Sequence, residues 1–380
     1  MRVLACALAF LLLAAAANVV IDPLGIFFVA DVPGLNHYKP EILNYWRVSL
    51  PMRARMVKPQ TVILGSSRSL LGLDPKGAGP EAFNFSVPGA TTCELRDALQ
   101  IALEGGRLKR AVIELDFFAA TARRINPDCG LPEARDHPWR LLAQTVLSSD
   151  TLNASLKTVT KQRKVDPAIW QPGPDGHAHL DPGFNAKTGG PRARFTNMEQ
   201  VYTRDYYLMP PVCGFVLERT GSGSLDYLRK LLDLAYANHI ETRLFFSPEH
   251  ARQLALIDDA RLFPVYEAWM RGVLRVSQEA AVAAGQAPFP VSTNFEKDWV
   301  TEPLPASPDA DTRWIIDGTH YTPAAGRAIL AKVMGPPQSV DVTQEMARLH
   351  ALMQSYFSAH PQERAEIDAT FAAARRECKN

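Results

Sequence analysis

The sequence lacks an excess of charge of either sign, since 41 lysine and arginine residues stand against 40 aspartate and glutamate residues. A formal net charge of +1 provides no global field for a phosphate backbone, so we expect no nucleic-acid partner. The 29 prolines and 23 glycines are spread along the 380 residues, so the sequence has no low-complexity segment of this composition. It also shows no internal repeats. With 47% hydrophobic residues, this composition predicts a loop-rich globular protein with a large core.

Cysteine is scarce, and its positions exclude two common classes of motif. Cys6, Cys93, Cys129, Cys213 and Cys378 form no C-x-x-C pair, which excludes a zinc knuckle and a thioredoxin-type redox site. Cys93 lies in a helical pattern and is expected to be a buried, small apolar residue. Cys129 and Cys213 are the candidate disulfide pair in an oxidising compartment. We expect neither a metal nor an organic cofactor.

One long apolar run is present, at the N-terminus. Between Val3 and Ile21 the only clearly polar residue is Asn18, and a helix of this length at ~1.5 Å per residue spans about the hydrocarbon core of a bilayer. Arg2 precedes the run and Asp22 follows it, so the positive-inside rule predicts a cytoplasmic N-terminus and an exported remainder.

The fate of this segment has two interpretations. Ala15 and Ala17 form an A-x-A site of the kind found in cleaved signal peptides. Because the apolar run continues past that site, we favour an uncleaved single-pass anchor over residues 1–21. This anchor places the globular domain in the periplasm, on the outer face of the inner membrane.

Strand and helix patterns alternate after a collar at residues 22–58. Thr61–Leu64 and Ala111–Leu115 are short apolar runs, and between them leucine and alanine recur at helical spacing, which predicts a βαβ unit. Further along the chain, the patterns predict helices at Ser224–Ala237 and Val265–Ala284, strands at Arg243–Phe246 and Phe289–Val291, and a helix capped by Thr322.

A segment rich in proline and glycine interrupts this alternation at residues 120–220, where we predict an insertion with one helix near Trp139–Lys157. Residues 338–380 carry patterns for one or two amphipathic helices, a predicted C-terminal helical tail that either packs on the domain or ends frayed. The main domain over residues 59–337 is therefore expected to be an α/β fold with a parallel sheet.

Polar clusters follow the predicted strands, where functional groups of parallel α/β sheets collect. They are Gly65-Ser66-Ser67-Arg68, the turn Asn84–Gly89, and Asp317-Gly318-Thr319-His320. Acyl transfer needs a hydroxyl nucleophile, an imidazole base, a carboxylate that orients the imidazole, and N–H donors for the oxyanion. Each cluster alone also fits ordinary turn chemistry, but their conjunction favours a catalytic site.

Five sequence blocks resemble the SGNH (GDSL-like) esterases and acyltransferases: VILGSSRSLLGLDP, FNFSVPGATTCE, AVIELDFF, FFSPEHA and WIIDGTHYTPAAG. They look like a group of membrane-anchored bacterial envelope proteins. The arrangement is similar to that of the anchored protein of teichoic acid D-alanylation and, more distantly, to alginate O-acetylation proteins. The resemblance covers about residues 20–335 and implies a flavodoxin-like three-layer sandwich.

By position, the resemblance implies that Ser67 is the nucleophile, His320 the base and Asp317 the group that orients the base. The backbone N–H groups of Ser67 and Gly89 would be the oxyanion donors.

The sequence departs from the family at two positions. Ser66 stands where the family has an aspartate before the nucleophile, and Asp116 ends the strand where the family supplies an oxyanion-binding asparagine. An ionised carboxylate accepts hydrogen bonds and would repel an oxyanion. Asp116 has an alternative role as the ion-pair partner of Arg68, either beside the nucleophile or as a purely structural pair.

Several other residues have both a functional and a structural interpretation. His250 follows a strand and is either a substrate or supporting contact or, preferably, part of the loop structure. His177-Ala178-His179 with Asp181 contains side chains of a metal-binding type, but a solvated loop is favoured for a segment so rich in glycine and proline. Four aromatic residues are candidates for a sugar platform or, preferably, for the insertion's own core: Trp170, Phe184, Tyr202 and Tyr206.

The resemblance implies O-acyl transfer or de-esterification of an envelope or exported polysaccharide through a Ser67 acyl-enzyme. Because coenzyme A is absent outside the cytoplasm, a transferase of this kind implies a membrane-bound acyltransferase partner that delivers the acyl group. The alternative is a catalytically inactive subunit that binds glycan or scaffolds an export complex, and the missing asparagine favours it.

Overall fold

The computed structural model describes residues 2–120, 129–209, 213–215 and 223–379. Its strands are β1 Thr61–Leu64, β2 Ala82–Asn84, β3 Arg110–Leu115, β4 Gln171–Pro172, β5 Ala178–His179, β6 Glu241–Phe246 and β7 Val291–Thr293. Five of them form one parallel sheet in the order β2-β1-β3-β6-β7, while β4 and β5 form a separate antiparallel hairpin. The predicted α/β class with a parallel sheet is confirmed.

Helices connect the strands of this sheet, and the chain also begins and ends with helices among the described residues. They are α1 Arg2–Ile21, α2 Trp46–Val57, α3 Ser67–Gly72, α4 Thr92–Leu103, α5 Pro132–Asp136, α6 Pro138–Leu147, α7 Ser149–Lys161, α8 Phe184–Thr188, α9 Gly190–Tyr202, α10 Ser224–Ala237, α11 Ala251–Asp259, α12 Phe263–Ala284, α13 Lys297–Val300, α14 Pro323–Val333, α15 Val342–Ala359 and α16 Pro361–Lys379.

The sheet has an apolar layer on each face, because successive strand residues point to opposite sides. Val62, Ile113 and Phe246 belong to the larger buried cluster, to which α4, α10 and α12 contribute side chains. Ile63 and Phe245 belong to the second cluster, which also contains buried residues of α14. The result is a three-layer α/β sandwich whose strands are buried on both faces.

Several predicted elements differ in detail from the observed ones. Strand β2 was not predicted, because its three residues run directly into a turn. The last strand lies at Val291–Thr293, two residues beyond the predicted position. The single helix predicted near Trp139–Lys157 is two helices, since Ser148 accepts a hydrogen bond from the Asp150 N–H at 3.0 Å and starts α7 as its N-cap.

The C-terminal helices belong to the core of the fold. Leu349 and Ile367, from α15 and α16, are fully buried in the larger cluster. Arg252 of α11 is buried and donates to Glu199 at 2.6 and 3.0 Å and to Glu363 at 3.0 Å. This charge cluster attaches α16 to α9 and α11, so the two C-terminal helices pack on the domain, the first of the two predicted alternatives.

The predicted disulfide between Cys129 and Cys213 is wrong. The structure pairs Cys93 with Cys129 and Cys213 with Cys378. Cys93 is buried as expected but is covalently bonded, because the segment at Cys129 returns to the first turn of α4. Spacing along the chain does not determine connectivity, which depends on which loops meet in the folded molecule.

Helix α1 is the one candidate for a membrane span among the described residues, with a mean hydropathy of 2.6 over its most apolar window. Its twenty residues are long and apolar enough to cross a bilayer, and a signal sequence has the same properties.

Candidate active site

Three predicted residues meet at the carboxyl edge of the sheet. Ser67 Oγ lies 2.8 Å from His320 Nε2, and His320 Nδ1 lies 2.8 Å from Asp317 Oδ2. Because the carboxylate accepts the Nδ1 proton, the Nε2 lone pair faces the serine hydroxyl. This is the hydrogen-bonded order of a Ser-His-Asp triad, with a sequence separation of 253 between the serine and the histidine.

The turn after β1 positions Ser67. Ser66 is the N-cap of α3, and its hydroxyl accepts a hydrogen bond from the Arg68 backbone N–H at 3.3 Å. A Cβ atom on Gly65 would lie 2.6 Å from Glu114 Oε2, so a larger residue would displace that carboxylate. The turn presents Ser67, the first residue of α3, half-buried at the rim.

The segment before α14 positions the other two triad residues. Asp317 Oδ1 accepts hydrogen bonds from the Thr319 and His320 backbone N–H groups, both at 2.9 Å, and from the Thr319 hydroxyl at 3.1 Å. Burial alone would raise the pKa of Asp317, but His320 and the backbone donors outweigh it and hold this pKa below its usual value. Asp317 is therefore an ionised acceptor for the imidazole.

Helices α3 and α14 approach closely enough to keep the serine and the histidine in register. A Cβ atom on Gly326 would overlap the carbonyl oxygen of Gly72, and one on Gly72 would overlap the Tyr321 ring. Small residues at this crossing bring the helix that begins with Ser67 against the segment that carries His320.

Glu114, near the end of β3, is a buried carboxylate with five donors. Its Oε2 accepts from the backbone N–H groups of Ser66 and Ser69 at 3.1 and 3.2 Å and from the Ser66 hydroxyl at 3.3 Å. Its Oε1 accepts from the hydroxyls of Ser247 and Tyr321 at 2.8 and 3.0 Å. Glu114 thus joins the α3 turn, the end of β6 and the segment before α14, which together carry the site.

Arg68 is fully buried directly after the serine. It donates to Glu249 at 2.8 and 3.2 Å, and its Nη1 lies 3.4 Å from Asp116 Oδ1. Its guanidinium also lies 4.7 Å from the centre of the Phe118 ring. Burial alone would lower the pKa of Arg68, but Glu249 and Asp116 raise it, so the guanidinium stays charged. The predicted pair with Asp116 is present, and Glu249 is the closer partner.

Asp116 has an unusual protonation equilibrium for a carboxyl group. Burial raises the pKa of Asp116 to about 7, Glu114 adds to the rise, and Arg68 opposes it. Near neutral pH both forms of this carboxyl are populated, and the neutral form carries an O–H donor. The objection that Asp116 must repel an oxyanion therefore applies only to its ionised form.

This equilibrium predicts a specific pH dependence of stability. The folded-state pKa of Asp116 lies above its value in the unfolded chain, so the folded state binds the proton more tightly and loses stability as the pH rises through about 7. The melting temperature of Asp116→Asn minus that of wild type should therefore increase as the pH rises from 5 to 8, because the asparagine has no proton to lose. Melting temperatures of both proteins across that range check this, and a constant difference would contradict it.

The loop after β2 approaches the same edge. The Val87 N–H donates to the Gly65 carbonyl at 3.0 Å, and a turn closed by the Ala90 N–H on Val87 at 2.9 Å follows. Gly89 has a φ of +62° in this turn, a conformation that favours glycine. The placement beside the Ser67 turn is the one expected for an oxyanion loop, and the donor role of Gly89 remains a prediction.

The structure supports the structural interpretation of His250 over a substrate contact. His250 is fully buried; its Nε2 lies 2.8 Å from the Glu302 carbonyl, and its Nδ1 accepts from the Arg252 N–H as the N-cap of α11. Burial lowers the pKa of His250 to about 4, so the ring is neutral. A strand-end histidine here supports a helix start.

Of the two adjacent histidines in the insertion, His177 is structural and His179 is exposed. His177 is 3% exposed, and its Nε2 lies 2.9 Å from the Leu71 carbonyl, so the solvated-loop prediction is wrong for this residue. His179 is exposed beside it. Over the described ranges, no group of three or more His, Cys, Asp or Glu side chains is arranged to hold a metal ion.

The aromatic residues of the insertion divide into two groups. Tyr202 and Tyr206 are buried against Phe118, with ring centres 5.0 and 5.3 Å away, as expected for a core. Trp170 is half-buried, and its ring packs edge-on against His320 at 5.6 Å. The insertion thus contributes one wall of the site.

Sequence reasoning missed the roles of Glu114 and Glu249. Both are charged residues within or directly after apolar strand runs, in AVIELDFF and FFSPEHA. A buried charge requires a partner, so a glutamate inside such a run was the available signal. Trp170 had no comparable signal, because only the folded insertion brings it to His320.

Comparisons with known proteins add no family assignment: no protein-family model matches this chain, and no curated protein matches it.

Proposed function

We propose that this chain is a serine-dependent esterase or O-acyltransferase of the SGNH type. The observation that carries the proposal is the continuous hydrogen-bonded series from Ser67 through His320 to Asp317. The parallel order β2-β1-β3-β6-β7, with the serine directly after β1, supports this assignment.

The proposed reaction has two steps. Ser67 Oγ attacks the carbonyl carbon of an acyl ester while His320 Nε2 takes its proton, and Asp317 stabilises the resulting imidazolium. The imidazolium then protonates the departing alkoxide, which leaves an acyl-enzyme. In the second step His320 Nε2 takes the proton of a sugar hydroxyl or a water molecule, whose oxygen attacks the acyl carbon. The bond from that carbon to Ser67 Oγ then breaks, and the imidazolium returns the proton to Ser67 Oγ.

The oxyanion of each tetrahedral intermediate needs donors at this edge. The Ser67 N–H belongs to the first turn of α3, where backbone N–H groups have no acceptor within the helix. Gly89 supplies the second expected donor from the neighbouring turn.

The proposed setting is the periplasmic face of the inner membrane, with α1 as an uncleaved anchor and an envelope or exported polysaccharide as substrate. Support comes from the length and hydropathy of α1 and from the two disulfides, which are typical of an oxidising compartment. A transferase in this setting requires an acyl donor delivered through the bilayer, so a membrane-bound acyltransferase is the proposed partner.

A catalytically inactive glycan-binding or scaffolding subunit is the second candidate. The observation that favours it is the carboxyl group of Asp116 at the end of β3, where an amide donor would suit an oxyanion better.

Covalent labelling separates the two candidates. A fluorophosphonate probe should label the full-length protein once, and peptide fragmentation should place the adduct on Ser67 and not on the adjacent Ser66. The Ser67→Ala variant should fold and lose all labelling, because the substitution removes a half-buried hydroxyl and no core contact. A folded wild-type protein that resists labelling would support the scaffolding subunit.

A further inference from the structure

Exposed apolar side chains are concentrated in one short part of the chain. Outside α1, ten large hydrophobic residues are exposed among the described residues, and five of them fall between positions 139 and 165. Trp139 of α6 is 80% exposed, and Leu156 of α7 is 60% exposed. This concentration of exposed apolar side chains on two consecutive helices marks α6 and α7 as a candidate interaction surface.

These two helices pack against the last turns of α1. Asn18 is 2% exposed, and its Nδ2 donates to the Val146 carbonyl at 2.9 Å. The Ser155 hydroxyl donates to Asn18 Oδ1 at 2.9 Å. The amide of α1 is therefore satisfied by α6 and α7, in the way that polar residues join helices inside membranes.

Helix length sets the depth of this contact. If α1 crosses the bilayer, as the proposed function requires, its twenty residues extend over ~30 Å, about the thickness of the hydrocarbon core. Asn18 lies three residues before the end of α1, only ~5 Å from the far boundary of that core. Helices in contact with Asn18 must lie at this interface.

The two faces of α7 match such a position. Thr151, Ser155 and Thr158 recur at helical spacing and are buried, while Leu156 and Val159 lie on an exposed face. Between positions 138 and 165 the sequence has five basic residues and one acidic residue. All five basic residues are exposed: Arg140, Lys157, Lys161, Arg163 and Lys164. Lys157 and Lys161 share Glu41 as an ion-pair partner at 3.5 and 3.9 Å, so the positive charge remains in excess on this surface.

We propose that α6 and α7 form a docking surface for the lipid bilayer beside α1, with anionic headgroups as its partner. Trp139, Leu156 and Val159 insert at the headgroup level, where tryptophan is favoured, and the basic side chains contact lipid phosphates. The occupant is a membrane because the surface is continuous with a helix of membrane-spanning length and carries the charge that anionic lipids attract.

Docking also limits how far the triad lies from the membrane. Nine residues lead from Lys161 at the end of α7 to Trp170, which packs against His320. An extended chain of that length reaches at most ~30 Å. The catalytic edge would thus stay within reach of an acyl donor that emerges from the bilayer.

Spin labels on the full chain test this surface. The background is Cys6→Ser, which removes the one free cysteine of the described residues. Nitroxides are placed at Trp139→Cys or Leu156→Cys, with Val282→Cys on α12 as the control because Val282 is 70% exposed. Each protein is reconstituted into vesicles of phosphatidylethanolamine and phosphatidylglycerol, and relaxation by oxygen is compared with relaxation by a soluble nickel chelate.

At positions 139 and 156 we expect the ratio of relaxation by oxygen to relaxation by the chelate to be at least severalfold higher than the same ratio at position 282. Chelate-dominated relaxation at both sites would overturn the docking, since both would lie in water. Immobilised labels that neither reagent reaches would also overturn it, by showing a protein contact. The intact mass of the protein tests the anchor separately, because loss of the N-terminal residues would refute it. Labelling of the serine tests the proposed chemistry and does not depend on docking.

Discussion

The Asp317→Asn variant should react with a fluorophosphonate about 10⁴-fold more slowly than wild type, a loss of about 5 kcal/mol in transition-state stabilisation. The surrounding hydrogen bonds explain so large an effect. Three donors converge on Oδ1, namely the backbone N–H groups of Thr319 and His320 and the Thr319 hydroxyl. The asparagine must keep its oxygen there, so its NH₂ group faces His320 Nδ1.

That orientation reverses the tautomer of the imidazole. A donor at Nδ1 forces the ring proton onto Nε2, which then cannot accept the proton of Ser67. The fold should survive, because the three contacts to Oδ1 are retained. The measurement is the second-order rate of inactivation, followed by intact mass.

Asp309→Asn provides the matched control, since Asp309 is an exposed carboxylate in the segment before the triad. It should label at the wild-type rate. If Asp317→Asn stays within about tenfold of wild type while both proteins melt cooperatively, His320 is not the base and the proposed mechanism fails.

The triad was predictable because its signals are local. A glycine-serine turn after a buried run, and an aspartate three residues before a histidine, each indicate their own local geometry. The parallel topology then requires strand ends to share one edge, which brings Ser67 and His320 together. The alternation of strands and helices was predictable for the same reason, since hydrophobic periodicity is a local property.

What the sequence did not predict depends on contacts between distant segments. The pairing of Cys213 with Cys378 requires α16 to fold back onto the insertion, and Arg252 holds that arrangement through Glu199 and Glu363. The burial of His250 has the same origin, because Phe195 and Tyr356 enclose it from α9 and α15. Hydrophobic periodicity does not predict which helix packs against the end of a given strand.

The ion pair of Arg68 with Glu249 is another contact between distant segments, and we expect its removal to have a large effect on stability. Arg68→Met should lower the free energy of unfolding by about 3–5 kcal/mol, because it leaves Glu249 and Asp116 buried without a counter-charge. This loss should increase with pH. Without the guanidinium, the pKa values of both carboxyls rise further in the folded state and exceed those in the unfolded chain. The folded state is therefore destabilised as the pH rises and the unfolded chain ionises. Urea unfolding at pH 5 and pH 8 measures both effects.

Two further variants separate the buried charge from a simple loss of contact. Arg110→Met breaks another arginine-glutamate pair, with Glu241 at 2.7 Å, but the two side chains are 32% and 44% exposed, so its cost should stay below about 1 kcal/mol. Arg68→Met combined with Glu249→Gln removes one of the two unpaired charges and should recover part of the stability and part of the pH dependence. A loss for Arg68→Met no larger than that for Arg110→Met, and equal at both pH values, would show that the pair beside the nucleophile contributes little to the fold.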